Sequence, residues 1–235
     1  MFSDRIDEKE WKGIIETIED AADYYRRMNR FVTFFRVDSW RRRAAGFSNN
    51  ELDVLEIGCG PGDFAEVVSS RSMLCVDPSE KLMSIARKKL GDRAEFEQGE
   101  AENLPVDQDS FDRVFCSFSF RDFRDKEKGL REIFRALRKG GMLVILEIGK
   151  PEDRAKAKMM NLHLRYVVPL LARFVVPRRI LMARGQNMYK DLWMSYQKYA
   201  PAPTYAEIMQ RIGFTDVAWD DLTYGGAVLL RGRKP

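Results

Sequence analysis

The sequence contains one histidine and three cysteines, and no two cysteines form a C-x-x-C pair. Because transition-metal centres are built mainly from these side chains, the scarcity excludes a His/Cys metal site. We expect small buried thiols in a reducing compartment. No apolar run approaches about 18 residues, the length of a membrane-spanning helix. The polar N-terminal residues predict no secretory signal, so we expect a cytoplasmic protein.

The chain also lacks a strong charge of either sign: 40 basic residues oppose 36 acidic ones, a net charge of +4. A nucleic-acid-binding arm needs a larger local excess, so we expect no nucleic-acid partner. Hydrophobic residues make up 45% of the chain, which suffices for a packed core. The length predicts one domain over residues 1–235. The oligomeric state stays open, with a homodimer among the alternatives.

The stretch LDVLEIGCGPGD carries the most informative pattern. Its apolar first half, which contains Glu56, predicts a buried strand of a parallel sheet. Gly58, Gly60 and Gly62 follow at alternate positions and predict a tight turn over which a ligand approaches the backbone. We expect a helix directly after the turn, with its free N–H groups directed at that ligand.

Two cofactor classes use such a strand, turn and helix. Gly60-x-Gly62-x-x-Ala65 fits the looser fingerprint of dinucleotide-binding proteins. The order acid-x-Gly-x-Gly-x-Gly, from Glu56 through Cys59 to Gly62, is typical of enzymes that bind S-adenosylmethionine (SAM). A carboxylate beside the turn attracts the cationic SAM and repels a pyrophosphate, so the sequence favours SAM. A glycine-rich turn that binds nothing is the third interpretation.

Two later strand ends carry further predicted cofactor contacts. Asp77 ends the second apolar run, at the spacing where an acid accepts ribose hydroxyls in SAM and NAD enzymes alike. Pro78 follows it and opens a helix, so a plain helix-start acid is the alternative. After a third strand, we assign Glu100 to the adenine amino group and Ala101 to a ring nitrogen through its backbone N–H. We expect the neighbouring Glu102 to be solvated.

The fourth predicted strand ends in SFSFRD, which contains Ser117, Phe118, Arg121 and Asp122. Ligands of open α/β sheets bind outside the carboxyl ends of the strands. We therefore expect Ser117 and Phe118 to contact the cofactor, and Arg121 and Asp122 to face the substrate. The alternative is a surface ion pair between Arg121 and Asp122 or Asp125.

Strands and helices alternate over residues 52–148, which predicts an α/β fold with a doubly wound, mostly parallel sheet of the Rossmann-like type. Residues 217–222 and 227–230, joined through two glycines, predict a closing antiparallel strand pair at the C-terminal end.

Local signals predict two helix boundaries. Residues 129–139 have an amphipathic helical pattern that Gly140 and Gly141 should end. Thr204 and Glu207 form a capping box, which predicts the start of another helix.

Helices are also predicted on both sides of the alternating region. Residues 1–50 should cover the cofactor with aromatics such as Tyr25 near the sulfonium, or simply pack on the core. Residues 152–200 should form a helical lid over an apolar substrate, with peripheral contact of residues 155–185 to a membrane surface. A plain helical cap is the alternative. His163 belongs to this segment and lies in a helical stripe, where a histidine is more often structural than catalytic.

Together these motifs resemble the ubiquinone/menaquinone biosynthesis C-methyltransferases, the UbiE/COQ5 family, over nearly the whole length. The resemblance rests on the glycine turn, Asp77, QGEAENLP, Phe118-x-x-Arg121, LVILEIGKP and Tyr189-x-x-Leu192-x-x-Ser195. One departure concerns the wall that faces the substrate. The family usually has Phe-Gly-[Leu/Ile]-Arg-Asn where this chain has Phe-Ser-Phe-Arg-Asp, ending at Asp122.

The resemblance implies a class I methyltransferase fold, SAM as methyl donor, and methylation of a ring carbon of a polyprenylated quinol. The carbon becomes nucleophilic when a neighbouring hydroxyl, with an ordinary pKa of about 10, loses its proton. Arg121 would pair with the developing anion and Asp122 would accept the proton. The alternatives are methylation of oxygen or nitrogen in another small hydrophobic molecule, and a non-catalytic SAM-binding protein.

Overall fold

The computed structural model describes the backbone of residues 4–181 and 188–235, and the side chains of residues 4–178, 180 and 192–235. Its seven strands are β1 (Asp53–Ile57), β2 (Ser72–Asp77), β3 (Glu95–Gln98), β4 (Phe111–Ser117), β5 (Leu137–Ile148), β6 (Thr215–Leu222) and β7 (Ala227–Arg233). They form one sheet in the order β3-β2-β1-β4-β5-β7-β6. The first five strands are parallel, whereas β7 runs antiparallel to both β5 and β6. The predicted mostly parallel sheet with a closing antiparallel pair is confirmed.

Helices cover both faces of this sheet and extend beyond it. They are α1 (Glu8–Asp20), α2 (Ala22–Val32), α3 (Val37–Ala45), α4 (Glu80–Leu90), α5 (Lys126–Ala136), α6 (Arg154–Leu162), α7 (Val168–Ala172), α8 (Arg178–Leu181), α9 (Met188–Lys198) and α10 (Ala202–Ile212). Neighbouring residues of β1 point to opposite faces: Val54 packs in the core on the side of Trp40, and Leu55 in the core that contains Leu130. Because both faces are buried, neighbouring positions of β1 such as Val54 and Leu55 are both apolar.

The sheet order places the ligand crevice between β1 and β4. Strands β2 and β3 lie on one side of β1, and β4 and β5 lie on the other, so the winding direction reverses there. Ligands of doubly wound sheets bind outside the carboxyl ends of the strands at this reversal. Ile57 and Ser117 are the last residues of the two strands, and the glycine turn follows directly after Ile57.

A third apolar core lies away from the sheet, where α2 packs against the helices of residues 152–200. It includes Met28 and Val32 of α2 and Met160 of α6. The π-helix His163–Val167 joins α6 to α7. Within the described residues, no helix combines the length and the apolar character needed to cross a bilayer.

The prediction of a helix directly after the glycine turn is wrong. Over the fully described residues 58–71, the chain forms only the three-residue 3₁₀ helix Ala65–Val67 and becomes extended at Val68. Val67 and Val68 are β-branched and favour extended backbone, and the serines that follow are weak helix formers. The N-terminus of an α-helix therefore does not follow directly after Gly62 in this stretch.

Helix α5 ends before Leu137, whereas the sequence predicted an end at Gly140 and Gly141. Leu137 is fully buried and pairs with Phe111 of β4, so it belongs to the sheet. The two glycines lie within β5, beside a register shift between Phe111 and Arg113. The burial of Leu137 in the sheet, and not the pair of glycines, thus determines where α5 ends.

Helix α10 begins at Ala202, with Pro201 as its N-cap residue, so the capping box predicted at Thr204 and Glu207 is wrong. Pro203 occupies the first turn. Its fixed φ angle suits a helix start, and its missing N–H would have had no helical partner there.

Candidate active site

The glycine turn brings bare backbone to the mouth of the crevice. Gly58, Gly60 and Gly62 have positive φ angles of 70°, 51° and 76°. A Cβ atom on Gly58 would collide with Ser119, whereas nothing lies within 4 Å of the corresponding position at Gly60. A Cβ on Gly62 would meet Ala86 of α4 at 3.0 Å, so this glycine packs on α4 and lies outside the pocket lining. The open backbone at Gly60 forms the floor of the pocket.

Asp77 is tied to the same turn. Its Oδ2 accepts a hydrogen bond from Gly60 N at 2.8 Å, and its Oδ1 accepts one from Ser79 N at 2.9 Å. Burial raises the pKa of the Asp77 carboxyl to about 6, although the two backbone N–H groups act in the opposite direction. Each oxygen keeps a further lone pair as an acceptor, and Asp77 lines the pocket together with Pro78.

The structure gathers the predicted cofactor residues around this pocket. Apart from Gly62, all of them line it: Tyr25, Glu56, Gly58, Cys59, Gly60, Asp77, Pro78, Glu100, Ala101, Ser117 and Phe118. The pocket is covered from above by α1, whose Ile14, Ile15 and Ile18 also line it. Whether each residue contacts a cofactor stays a prediction.

Five buried polar atoms in the pocket wall have no hydrogen-bond partner among the described residues. They are Glu56 Oε2, Arg41 Nε, Asp63 Oδ2, Ser117 Oγ and Asp122 Oδ1. Arg41 Nη1 lies 3.5 Å from Asp63 Oδ2. Burial raises the pKa of the Glu56 carboxyl well above its usual range, with smaller contributions from acidic groups nearby. SAM carries an ammonium group and a carboxylate on one end, and the two carboxylates of Glu56 and Asp63 with the Arg41 guanidinium fit both.

Sequence reasoning missed Arg41 and Asp63. Arg41 is the first of three consecutive arginines on α3. It is the buried one of the three because of the way α3 is rotated about its axis against the sheet. Asp63 follows the last glycine of the turn, where Lys89 Nζ contacts its Oδ1 at 2.5 Å. Its position beside the turn was the available signal.

The residues predicted to hold adenine lie along another wall of the pocket. Glu100 forms an ion pair with Arg124, which also pairs with Glu8 of α1 and lies over the Trp11 ring. The expectation that Glu102 is solvated is wrong. This carboxylate is buried and accepts a hydrogen bond from the backbone N of residue 125 at 2.9 Å, so it fixes the loop that follows β4.

Arg121 lies in a 3₁₀ turn after β4 and is only 8% exposed, which excludes the alternative of a surface ion pair. Its guanidinium donates to Glu147 Oε1 at 3.0 Å, Asp122 Oδ2 at 3.2 Å and Ser195 Oγ at 3.1 Å. Burial lowers the pKa of Arg121, but the two carboxylates outweigh it, and the net shift is upward. For the Glu147 carboxyl, burial raises the pKa, and the positive charge of Arg121 opposes this shift. Arg121 is therefore a fixed cation that orients its neighbours.

Asp122 differs from Glu147 because one of its carboxylate oxygens accepts no hydrogen bond from the described residues. Its Oδ1 is buried and has no hydrogen-bond partner in the described part of the chain. Asp122 lines the cofactor pocket and also a second, larger cavity. The spare oxygen is thus placed where the two spaces meet.

The second cavity has a volume of about 650 Å³ and lies between α2 and the helices of residues 152–200. Most of its lining is apolar, contributed by side chains such as Met28, Val32, Met160 and Leu164. It shares five lining residues with the cofactor pocket: Ile14, Ile18, Tyr25, Phe118 and Asp122. A volume of this size accommodates a ring and part of an apolar tail. Tyr189, named in the resemblance, lies outside the described side chains.

The sequence model of the ubiE/COQ5 methyltransferase family matches residues 5–234. A demethylmenaquinone methyltransferase from Thermotoga maritima is 30% identical over 94% of this chain and 96% of its own length. A protein of the same name from Bacteroides fragilis is 25% identical over 97% of this chain and 95% of its own. The ubiquinone/menaquinone biosynthesis C-methyltransferase UbiE from Proteus mirabilis is 28% identical, with 94% and 90% covered.

Solved structures show the same fold. A SAM-dependent methyltransferase from Thermotoga maritima, described as a possible histamine N-methyltransferase, superposes with a TM-score of 0.65 and 21% identity over 94% of this chain and 100% of that chain. One from Mesorhizobium loti gives 0.57 and 19% identity, with 82% and 95% covered. The predicted class I methyltransferase fold is confirmed. Since the family match spans nearly the whole sequence, the chain belongs to the ubiE/COQ5 methyltransferase family and is an enzyme that uses S-adenosylmethionine as its methyl donor.

Proposed function

We propose that this enzyme methylates a ring carbon of a polyprenylated quinol, as in menaquinone or ubiquinone biosynthesis. The observation that carries the proposal is the apolar cavity of about 650 Å³ that meets the cofactor pocket at Asp122. A prenylated ring needs an apolar space with a few polar groups at one end. The names of the Thermotoga and Bacteroides relatives point to the same substrate class.

The cofactor pocket supplies the methyl group in this proposal. When bound, SAM provides an electrophilic methyl that a carbon nucleophile can accept. Glu56 and Asp63 would hold its ammonium group, Arg41 its carboxylate, and Asp77 its ribose hydroxyls. Gly60 allows close approach because its backbone has no neighbour where a Cβ would stand.

Asp122 is the proposed base. The free Oδ1 can accept the proton of a quinol hydroxyl, directly or through water, which makes the adjacent ring carbon nucleophilic. Arg121 holds the other oxygen of Asp122 at 3.2 Å and is itself anchored by Glu147. Because Arg121 is already paired with two carboxylates, these contacts favour a positioning role for it. Its direct pairing with the developing anion stays a prediction.

The outer surface of the lid suggests how an apolar substrate arrives. Met159, Leu162, Tyr166, Leu170 and Phe174 are all exposed at helical spacing, and we call them the lid face. Met159 and Leu162 also line the cavity. Exposed lysines and arginines surround the lid face, namely Lys156, Lys158, Arg165 and Arg173. An apolar stripe with a basic border fits the surface of an anionic bilayer, so we propose peripheral membrane contact there. A homodimer stays a prediction.

A panel of acceptors tests the proposed function. Purified enzyme is incubated with SAM labelled at its methyl group and, separately, a prenylated naphthohydroquinone, a prenylated benzohydroquinone, a catechol and histamine. We expect label in one of the prenylated quinols and none in histamine. Label in the catechol or histamine alone would support an O- or N-methyltransferase. SAM binding without transfer to any acceptor would support a non-catalytic protein.

A further inference from the structure

The large cavity is lined by one histidine, His163, to which the proposed mechanism gives no role. Its ring lines the cavity and is partly buried. It is the first residue of the π-helix His163–Val167, which interrupts the lid between α6 and α7. π-Helical turns are rare and often occur at functional sites, because they shift side chains away from the regular helical spacing.

The contacts of His163 define which nitrogen carries the hydrogen. Nε2 lies 2.9 Å from the carbonyl oxygen of Val32, the last residue of α2. A carbonyl oxygen can only accept, so Nε2 must donate. Burial lowers the pKa of His163, although the Val32 carbonyl opposes it, so the ring is neutral at pH 7. In a neutral ring with hydrogen on Nε2, Nδ1 is an acceptor.

The orientation of the ring is also fixed. Phe34 packs against it with ring centroids 5.5 Å apart and the planes tilted by 42°. Phe34 has a φ angle of 49°, which side-chain-bearing residues rarely adopt, and it lines the same cavity. No donor to His163 Nδ1 is present among the side chains that the structure describes. Nδ1 is thus an acceptor that has no partner among the described side chains, on a ring that lines a mostly apolar cavity.

We propose that His163 Nδ1 accepts a hydrogen bond from the second hydroxyl of the quinol, and thereby selects the reduced quinol over the oxidised quinone. This inference rests on the proposed function. A prenyl tail has no polar atom, so the two ring hydroxyls are the donors that such a substrate offers. Asp122 receives the proton of one, and the other needs an acceptor elsewhere in the cavity.

Selection follows from the chemistry of the two redox forms. A quinone carries carbonyl oxygens in place of hydroxyls, and these oxygens cannot donate. Against Nδ1, two acceptors would then face each other without a hydrogen between them, and both would lose their contact with water. A site that requires a donor discriminates well against an analogue that lacks it. Discrimination is useful here because the quinone ring has no hydroxyl to activate.

The single histidine makes a direct test possible. The enzyme is prepared with nitrogen-labelled histidine, and its two ring-nitrogen signals are followed by NMR without SAM. Under reducing conditions, naphthohydroquinone should move the Nδ1 signal and leave Nε2 nearly unchanged. Naphthoquinone and the dimethyl ether of the quinol should not move Nδ1. Saturable binding of the quinol with no Nδ1 shift, or an equal shift with the quinone, would overturn the inference.

Two variants separate the acceptor from the contact with Val32. In His163→Gln the amide can still donate to the Val32 carbonyl, but the acceptor at the Nδ1 position is lost. In His163→Asn an oxygen lies near the Nδ1 position. We expect His163→Gln to raise the KM for the quinol about two- to tenfold, with kcat within about twofold, and His163→Asn to recover part of this loss. An unchanged KM in His163→Gln would count against the inference.

Failure of the inference and failure of the proposed function give different results. If the enzyme methylates no quinol but naphthohydroquinone still shifts Nδ1, the acceptor role stands and the function falls. If a quinol is methylated while Nδ1 does not move, the function stands and the acceptor role falls. The NMR measurement uses the natural chain, so it remains decisive even where a variant fails to fold.

Discussion

At the scale of single residues, Asp122 and Glu147 bind the same cation but differ in how many of their oxygens have hydrogen-bond partners. Arg121 donates to both, but Glu147 also accepts from two backbone N–H groups, of Arg121 and Ile148. Asp122 keeps one buried oxygen without a partner among the described residues. An unpaired buried acceptor costs free energy unless a ligand uses it, so it marks the point where substrate is expected.

We expect Asp122→Asn to lower kcat by about 10²–10⁴, the usual contribution of a general base. Affinity for SAM, measured by calorimetry, should change little because the amide has the same shape as the carboxyl. Asp107→Asn, at an exposed position outside both pockets, is the matched control and should leave kcat unchanged. The family usually has Asn at the position of Asp122, so full activity of the variant would move the catalytic role to Arg121.

Asp77 predicts a pH dependence of cofactor binding. Its pKa is raised to about 6 by burial, so it is protonated in the free enzyme below about pH 6. Ribose hydroxyls donate to the ionised carboxylate, so SAM affinity should fall as the pH drops from about 7 to 5. Calorimetric titration across this range measures the effect, and Asp77→Asn should flatten it. Affinity that is constant across the range in the natural enzyme would contradict the role of Asp77.

The same raised pKa has the opposite effect on folding stability. The folded chain favours protonated Asp77, so this group stabilises the fold at low pH and loses that contribution as the pH rises through about 6. This group therefore cannot cause a loss of SAM affinity at pH 5 through unfolding. Thermal unfolding recorded at each pH provides the control.

The residues of the cofactor pocket were predictable where sequence order and strand ends fix them. Glu56, Gly60 and Asp77 lie at or just after the carboxyl ends of β1 and β2, which meet at one edge of the sheet. Arg41 was not predictable, because its burial depends on how α3 rotates against the sheet. The burial of Glu102 depends likewise on a backbone contact that becomes visible only in three dimensions.

At the scale of elements, α1 acts as a cover over the cofactor pocket. Beneath it the pocket holds only about 100 Å³, less than the roughly 300–1,000 Å³ of most ligand sites. Polar contacts fasten α1 at several points: Ser79 Oγ donates to Glu19 Oε1 at 2.6 Å, Lys198 pairs with Glu10 at 2.7 Å, and Arg124 pairs with Glu8. The pocket is therefore too small for SAM in this conformation, and we expect α1 to move when SAM enters.

We expect Glu19→Ala to speed both association and dissociation of SAM by about fivefold, since it removes a hydrogen bond of about 1 kcal/mol that holds α1 closed. Stopped-flow fluorescence of Trp11, which lines the pocket, reports the two rates. Lys9→Ala, an exposed change on the same helix, is the control. Rates that match those of the natural enzyme would show that α1 does not limit entry.

The lid face predicts binding to anionic bilayers. Vesicles that contain phosphatidylglycerol should sediment the enzyme, and vesicles of phosphatidylcholine alone should do so weakly. Phe174 is 75% exposed, and Phe174→Ser should weaken binding about tenfold. Trp219→Ser, at an exposed aromatic on edge strand β6, should have little effect. Equal sedimentation of the natural enzyme and the Phe174 variant would exclude the lid face as the membrane contact.

Element types could be predicted from periodicity, but boundaries set by burial could not. The parallel strands and amphipathic helices follow from apolar runs and 3.6-residue spacing. By contrast, Leu137 joins the sheet because it is fully buried beside Phe111, and the chain after the glycine turn forms only a three-residue 3₁₀ helix. Both outcomes depend on contacts with residues distant in sequence, which local signals do not contain.

At the scale of the whole molecule, two spaces of different chemistry share one wall. The cofactor pocket is built by the strand ends of the sheet, and the apolar cavity by α2 and the helices of residues 152–200. Tyr25, Phe118 and Asp122 belong to both linings. Because a methyl group must pass between the two ligands, this shared wall is where transfer is expected.

The position of the transferred methyl tests the central proposal most directly. The enzyme is given methyl-labelled SAM and a reduced, prenylated naphthoquinol, and NMR of the extracted product locates the label. We predict a new methyl on the ring carbon beside a hydroxyl-bearing carbon. Label on a hydroxyl oxygen, or no labelled product from an enzyme that binds SAM, would contradict it.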